Sequence, residues 1–283
     1  MKEILLISNL DLQSNDVLKY AAEFCKHYQT KLHVLHFNHK NTPVLLSSHQ
    51  TYQSLSNDIY HFERKNDLIE KITRIVSPFI DHDWLSITVQ SDVPSIALEE
   101  FINNREIDLI LLRQTHFTRH SREIENCIKN ILTREITIPM LVIPPFYVFE
   151  PYERINYLLK YFNDNNISNL KSLTNWFSEI PIDLTHLHKA FKLEHPIKDF
   201  DNWVKYAKKE TRTDLRPILE ESSLDDFINR ENNSIIQIYD LIVFSTYNRN
   251  FWERIYDPSS TLRVLGTLDL PTLIFKNGKP VST

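Results

Sequence analysis

Short apolar runs alternate with longer stretches of helical period along the whole chain. Ile4-Leu5-Leu6-Ile7 is an apolar run ended by Ser8-Asn9, the pattern of a buried strand. Ser14 or Asn15 can cap a helix that carries Val17, Leu18, Ala21, Ala22, Phe24 and Cys25 on one face. Leu32 to Phe37 predicts a second strand, and the polar stretch from Asn38 to Asn57 reads as loop. A long amphipathic helix is expected from about Ile59 to Phe79, stopped near Pro78. Leu85 to Val89 alternates as a strand does, and Asp92 opens a helix through Ile102 with Pro94 in its first turn. Leu109 to Leu112 is the fourth strand, Ser121 opens a helix through Leu132, and Met140 to Ile143 is the fifth strand, closed by Pro144-Pro145.

Strict alternation of strands and helices implies a parallel sheet with helices on both faces. The second half repeats the order. Its strands are expected from Ile155 to Leu159, Asp183 to His188, Leu215 to Leu219, Asp240 to Phe244 and Pro271 to Phe275. Helices are expected from Ser168 to Phe177, around Trp203 to Lys209, and from Leu224. Asp108-Leu109-Ile110 recurs as Asp240-Leu241-Ile242, and Ile138-Pro139-Met140-Leu141 as Leu270-Pro271-Thr272-Leu273. The interval from Asp to Pro is 31 residues in both halves, which makes chance similarity of two apolar runs a poor explanation. Setting Leu32 against Leu184 offsets the second strands by 152, while the fourth strands are offset by 132 (109 and 241). The second copy is therefore expected to lack about twenty residues, corresponding to the polar loop. The fold class read from this pattern is α/β, two tandem doubly wound (Rossmann-like) domains, spanning 1–148 and 149–283, the second shortened between strands 2 and 3.

Composition narrows the chemistry. The 283 residues suit two domains, and 42% hydrophobic with 24% charged residues is ordinary for a soluble globular chain. A formal net charge of −5 gives no general attraction to nucleic acid or anionic membranes. No apolar run is long enough to span a bilayer, and the start Met1-Lys2-Glu3 predicts no secretory leader. Cys25 and Cys127 each fall in an expected helix without a spaced framework, which points to small core residues in a cytoplasmic setting. Only two glycines occur, Gly266 and Gly278, where average usage gives roughly twenty. Backbone that closely wraps a phosphate needs glycine, and this chain has almost none to offer.

Asp108-Leu109-Ile110-Leu111-Leu112, a helix to about Leu132, and Pro139-Met140-Leu141-Val142-Ile143-Pro144 together resemble the C-terminal half of a universal stress protein (UspA-like) domain. The resemblance covers nearly the whole chain, once per half, and implies five-stranded parallel sheets of order 3-2-1-4-5. ATP-binding members of that family carry two glycines after the fourth strand and a Gly-Ser or Gly-Thr about nine residues on. Arg113 and His116 stand at the first two positions here, with Glu125-Asn126 near the last. In the second half Ser245 and Asn248 stand at the first two, with Pro258-Ser259 near the last. The resemblance thus implies a tandem member with degenerate ATP-binding motifs. Its expected function is stress-associated and non-catalytic, through protein contacts or small-ligand sensing, with no resident cofactor. The alternative is a nucleotide-binding protein, for ATP or AMP, with an atypical glycine-free site and weak affinity.

Ligands of open α/β sheets sit beyond the carboxyl ends of strands where the order reverses, here between strands 1 and 4. In the first half that crevice is expected to be lined by Asn9, Leu10, Asp11, Arg113, Gln114 and Thr115, with Asp11 where adenine-binding relatives often place an acid. In the second half the candidates are Asn163, Asp164, Ser245, Thr246 and Tyr247, with Ser259, Ser260 and Thr261 near a helix start where hydroxyls and free amides suit an anion. Ordinary loop residues and helix capping compete with both readings. His186 and His188 share a strand face and His116 and His120 lie one helical turn apart, but neither pair has a third ligand nearby, so no metal site is expected. No nucleophile–base–acid set assembles from spacing alone. Strands Met140-Leu141-Val142-Ile143 and Thr272-Leu273-Ile274-Phe275 are apolar edges without a charge, and related domains commonly dimerise through their fifth strands. An intrachain pseudo-dimer through these two strands is therefore expected, with the protein partner unspecified and neither nucleic acid nor membrane involved.

Overall fold

The computed structural model describes residues 1–8, 15–37, 65–90, 94–114, 138–159, 164–188, 196–222, 227, 238–246 and 268–276. By compactness the chain divides into Met1–Arg113 and Gln114–Thr283. The first unit contains β1 (Glu3–Ser8), α1 (Asn15–His27), β2 (Lys31–Phe37), α2 (residues 65–76), β3 (Leu85–Gln90), α3 (Pro94–Asn103) and β4 (Leu109–Arg113). Its strands are ordered β3-β2-β1-β4 and all run parallel. The run read as apolar from end to end, Ile4 to Ile7, lies in central β1 and is buried.

Helix α1 shows how local sequence sets an element. Asp16 in its first turn and Lys26 and His27 in its last complement the helix dipole. Its apolar stripe buries Val17, Leu18, Tyr20, Ala21, Ala22, Phe24 and Cys25. The helix stops in a Schellman arrangement, with Gln29 N–H donating to Lys26 O at 3.4 Å and Thr30 N–H to Cys25 O at 3.0 Å. Gln29 carries the left-handed φ of 53° that this stop needs, where glycine is the usual choice. Arg212, just after a later helix, does the same at φ 55°. A chain with two glycines thus ends helices with side chains that resist the conformation.

The second unit contains β5 (Met140–Ile143), β6 (Ile155–Leu159), α4 (Asp164–Trp176), β7 (Ile182–His188), α5 (Pro196–Thr211), β8 (Leu215–Glu221), β9 (Leu241–Thr246) and β10 (Thr272–Lys276). The strand order is β5-β10-β9-β6-β7-β8. The five strands of the second repeat follow the order 3-2-1-4-5 in full and are parallel. Strand β5 joins β10 antiparallel, with Leu141 opposite Leu273, Val142 opposite Thr272 and Met140 opposite Ile274. A core of Leu158, Phe227, Tyr239, Ile242, Phe244, Leu268 and Leu270 lies in this unit, with Tyr147 and Leu187 packed on it. The compact unit begins before β5, whereas the sequence repeat divides after it, and within that unit β5 pairs antiparallel with β10.

Helix α4 begins at Asp164, four residues before the expected Ser168, and α5 begins at Pro196, well before Trp203. The first turn of α4 is Asp164-Asn165-Asn166, a polar start that apolar periodicity does not register. The expected helices over 121–132 and from 224, and the loop over 38–57, lie wholly or mostly outside the described residues.

Register makes the repeat explicit. Ile4 pairs with Leu32 and Leu109, and Ile155 pairs with Ile182 and Leu241. Leu32 thus corresponds to Ile182, not to Leu184. The two choices differ by one strand period, so the alternation pattern cannot separate them. The corrected offset is 150 at the second strands (32 and 182) and 130 at the third (85 and 215), which places the missing twenty residues between those strands. The repeated aspartates have one job in both copies. Asp108 Oδ2 accepts the N–H of Glu3 at 2.8 Å, and Asp240 Oδ2 accepts those of Glu153 and Arg154 at 2.8 and 2.9 Å. Each carboxylate ties the start of a fourth strand to the start of a first strand through a charge-assisted bond.

Candidate functional site

The carboxyl ends of the first and fourth strands are where a doubly wound domain builds a site. In the first unit β4 ends on Arg113, whose side chain is 7% exposed and reaches Asp16 in the first turn of α1, Nη2 to Oδ2 at 3.6 Å. Strand β1 ends on Ser8, 2% exposed, whose hydroxyl finds no hydrogen-bond partner among the described residues. Gln114 directly follows β4, 8% exposed. Its backbone N–H donates to Ile143 O at 2.7 Å, while its side-chain Nε2 is buried without a partner among the described residues. Asn9, Asp11 and Thr115 lie outside the described residues, as do His116 and Glu125.

In the second unit the corresponding strand end is closed by hydrogen bonds. Ser245 on β9 is held by Tyr157 on β6, hydroxyl to hydroxyl, and its Oγ also accepts from Asn169 Nδ2 of α4 at 2.8 Å. Asn169 Nδ2 approaches the Tyr157 hydroxyl at 3.4 Å as well. Asp164 is the exposed first residue of α4, and Thr246 is the last residue of β9, in register with Lys276. Ser259 and Ser260 lie outside the described residues. Of the predicted candidates, then, Ser245 sits in a defined polar cluster, Gln114 is buried beside a strand end, and Asp164 stands at a helix start.

Two features escaped the sequence reading. Arg113 and Ser245 occupy equivalent positions, and both reach back to the first helix of their repeat, through Asp16 and Asn169. Neither contact is local, so no spacing rule exposes it. The other feature is a buried polar patch on the opposite end of the β6–β7 pair. Asp183 is fully buried, and its Oδ2 accepts from Arg154 Nη2 at 2.7 Å, from Arg154 Nε at 3.1 Å and from the Tyr239 hydroxyl at 2.9 Å. Beside it Thr185 Oγ1 donates to Asn156 Oδ1 at 2.8 Å. Burial first, and then the bond to Asp183, push the Tyr239 hydroxyl well above the usual tyrosine range. The signal was present in Asn156, a polar residue inside the apolar run Ile155 to Leu159, whereas Asp183 lies in a strand that alternates with polar residues and does not stand out.

The first repeat carries a pair at the same two positions. Glu3 corresponds to Arg154 and His33 to Asp183, and Glu3 Oε2 lies 3.0 Å from His33 Nε2. Acid and base have exchanged strands between the copies. Burial is the main reason that His33 sits below its ordinary 6.5, opposed by the Glu3 carboxylate. The remaining candidates for chemistry are quiet. Cys25 is buried and its thiol is pushed up to about 12 by burial, so it carries almost no thiolate at neutral pH. His186 is 2% exposed, with Nδ1 at 3.2 Å from Leu159 O and its ring against Phe200. Among the described residues, no three His, Cys, Asp or Glu side chains gather as a metal ion would require, and no helix is long and apolar enough to cross a membrane.

This architecture is shared by solved structures of very different sequence. A universal stress protein from Archaeoglobus fulgidus DSM 4304 superposes with a TM-score of 0.67 at 12% identity, covering 98% of this chain and 96% of its own. The chain has the universal stress protein fold. A functionally unknown protein from Pseudomonas aeruginosa PAO1 matches with a TM-score of 0.55 at 14% identity, over 98% of this chain and 92% of its own. The cytoplasmic domain of a prokaryotic cation chloride cotransporter matches with a TM-score of 0.54 at 11% identity, over 97% and 95%. No family model matches the sequence, and no curated protein does. The fold is therefore kept where sequence identity has nearly vanished, as expected when strand pattern and packing constrain more than any one residue.

Proposed function

We propose that this chain is a non-catalytic protein of the universal-stress-protein type, acting in a stress response through protein contacts or by sensing a small ligand, and working in the cytoplasm. The observation that carries the reading is the engagement of the leading glycine position of each half in internal contacts. In the first half Arg113 fills it with a buried guanidinium held by Asp16. In the second half Ser245 stands there, held by Tyr157 and Asn169. A glycine at either place leaves backbone N–H groups open to a phosphate, and these side chains do not. The net charge of −5 further favours protein partners over nucleic acid or anionic membrane. Strands β5 and β10, equivalent in the two repeats, cover each other's edges. We read this as an intrachain pseudo-dimer that replaces pairing between separate subunits.

One observation favours the second reading, a nucleotide or other small ligand held without glycines: the buried Nε2 of Gln114, which has no hydrogen-bond partner among the described residues. Native mass spectrometry of the freshly purified protein, followed by calorimetry with ATP and AMP, separates the two. The first reading expects no co-purified nucleotide and no saturable heat in the micromolar range, about −8 kcal/mol of binding free energy. A stoichiometric nucleotide, or micromolar binding abolished by Gln114→Leu, establishes the second.

A further inference from the structure

The two repeats treat their outer strands in opposite ways. β8, the third strand of the second repeat, carries Arg216 and Pro217, both exposed, and ends on Glu220-Glu221. Proline cannot donate to a further strand, and charge resists the desolvation that pairing brings, so this edge is protected. β3, the third strand of the first repeat, is Leu85-Ser86-Ile87-Thr88-Val89-Gln90. It holds no charge and no proline, and three of its six residues are β-branched. Its register is complete with β2, from Leu32–Leu85 to Phe37–Gln90, and among the described residues no strand pairs with its other side. Five of the six residues are half-buried and Val89 is buried.

We propose that β3 is a self-association edge whose partner is a second copy of this chain, joined antiparallel through β3 about a two-fold axis. An uncharged strand is self-complementary, since no like charges meet across the axis. In a register centred on Ile87, that residue faces its own copy and Ser86 faces Thr88, both acceptable cross-strand pairs. An edge with no partner strand among the described residues, together with one protected edge, allows a closed dimer and opposes open-ended stacking. The chain already uses this device internally, where Met140, Leu141 and Val142 of β5 meet Ile274, Leu273 and Thr272 of β10 antiparallel with no charge among the paired residues. The inference is independent of any ligand in the strand-end crevices.

Sedimentation velocity over a concentration series tests it on the intact chain. Wild type is expected to pass from the mass of one chain to that of two, while Ser86→Lys/Thr88→Lys stays at one with an unchanged circular-dichroism melting curve. Glu220→Lys, on the protected edge, is expected to leave the dimer intact. Wild type that remains a single chain at the highest concentration overturns the proposal, and so does undiminished dimerisation of the double-lysine variant. Hydrogen exchange on wild type serves if the variant does not fold. The alternate β3 amides that point away from β2 should gain protection as concentration rises, and concentration-independent protection refutes the pairing.

Discussion

His33 and Asp183 hold equivalent places in the two repeats, and His33 carries a consequence for acid stability. The folded His33 sits below 6.5 because burial disfavours its charged form. A depressed pKa contributes stability that is complete above the unfolded value and is lost as pH falls through the folded value. The first unit is thus expected to weaken on mild acidification below 6.5. A histidine-resolved NMR titration should find His33 below that value and lower still in Glu3→Gln, which removes the carboxylate that raises it; a value above 6.5 contradicts the assignment. Arg154→Ala should cost about 3–5 kcal/mol by urea unfolding, since it leaves the Asp183 carboxylate buried without its counter-charge. Backbone conformation gives a prediction of opposite sign. Gln29→Gly and Arg212→Gly relieve left-handed residues at helix ends, and each should stabilise by about 1 kcal/mol in the same assay. Destabilisation by either would show that its side chain contributes more than its backbone costs.

Elements in this chain depend on partners far along the sequence. Strand β5 has four residues, too short to persist alone, and its described ladder is the antiparallel one to β10. Val142→Pro removes a backbone donor opposite Thr272 and should speed exchange of β10 amides about tenfold or more, corresponding to a loss of 1.4 kcal/mol or more. Unchanged β10 exchange would mean that β5 does not hold that edge. The helix ends were only partly legible, because apolar periodicity reports the buried stripe. Asp164 in the first turn of α4 complements the helix dipole, which leaves no apolar mark.

At the scale of the molecule, the sequence repeat and the compact units disagree by one strand. Division after residue 148 leaves the Thr272 to Phe275 run of β10 without β5, an apolar edge with nothing to deter pairing. A fragment of residues 149–283 should therefore exchange its β10 amides faster than one beginning at residue 114, which keeps β5 as the antiparallel neighbour of β10. Equal behaviour of the two fragments would show that β5 is dispensable.

Alternation of apolar runs with helical stretches, and the recurring Asp-Leu-Ile and Pro spacing, were enough to determine the fold class and its duplication. Those features follow from backbone geometry and burial, which act within a few residues. The scarcity of glycine likewise argued from sequence alone against backbone wrapped around a phosphate. Two things were decided only by tertiary structure. Arg113 meets Asp16, and Ser245 meets Tyr157 and Asn169. Each joins residues separated by many intervening positions, and such contacts are set by how strands and helices pack, which no local spacing encodes.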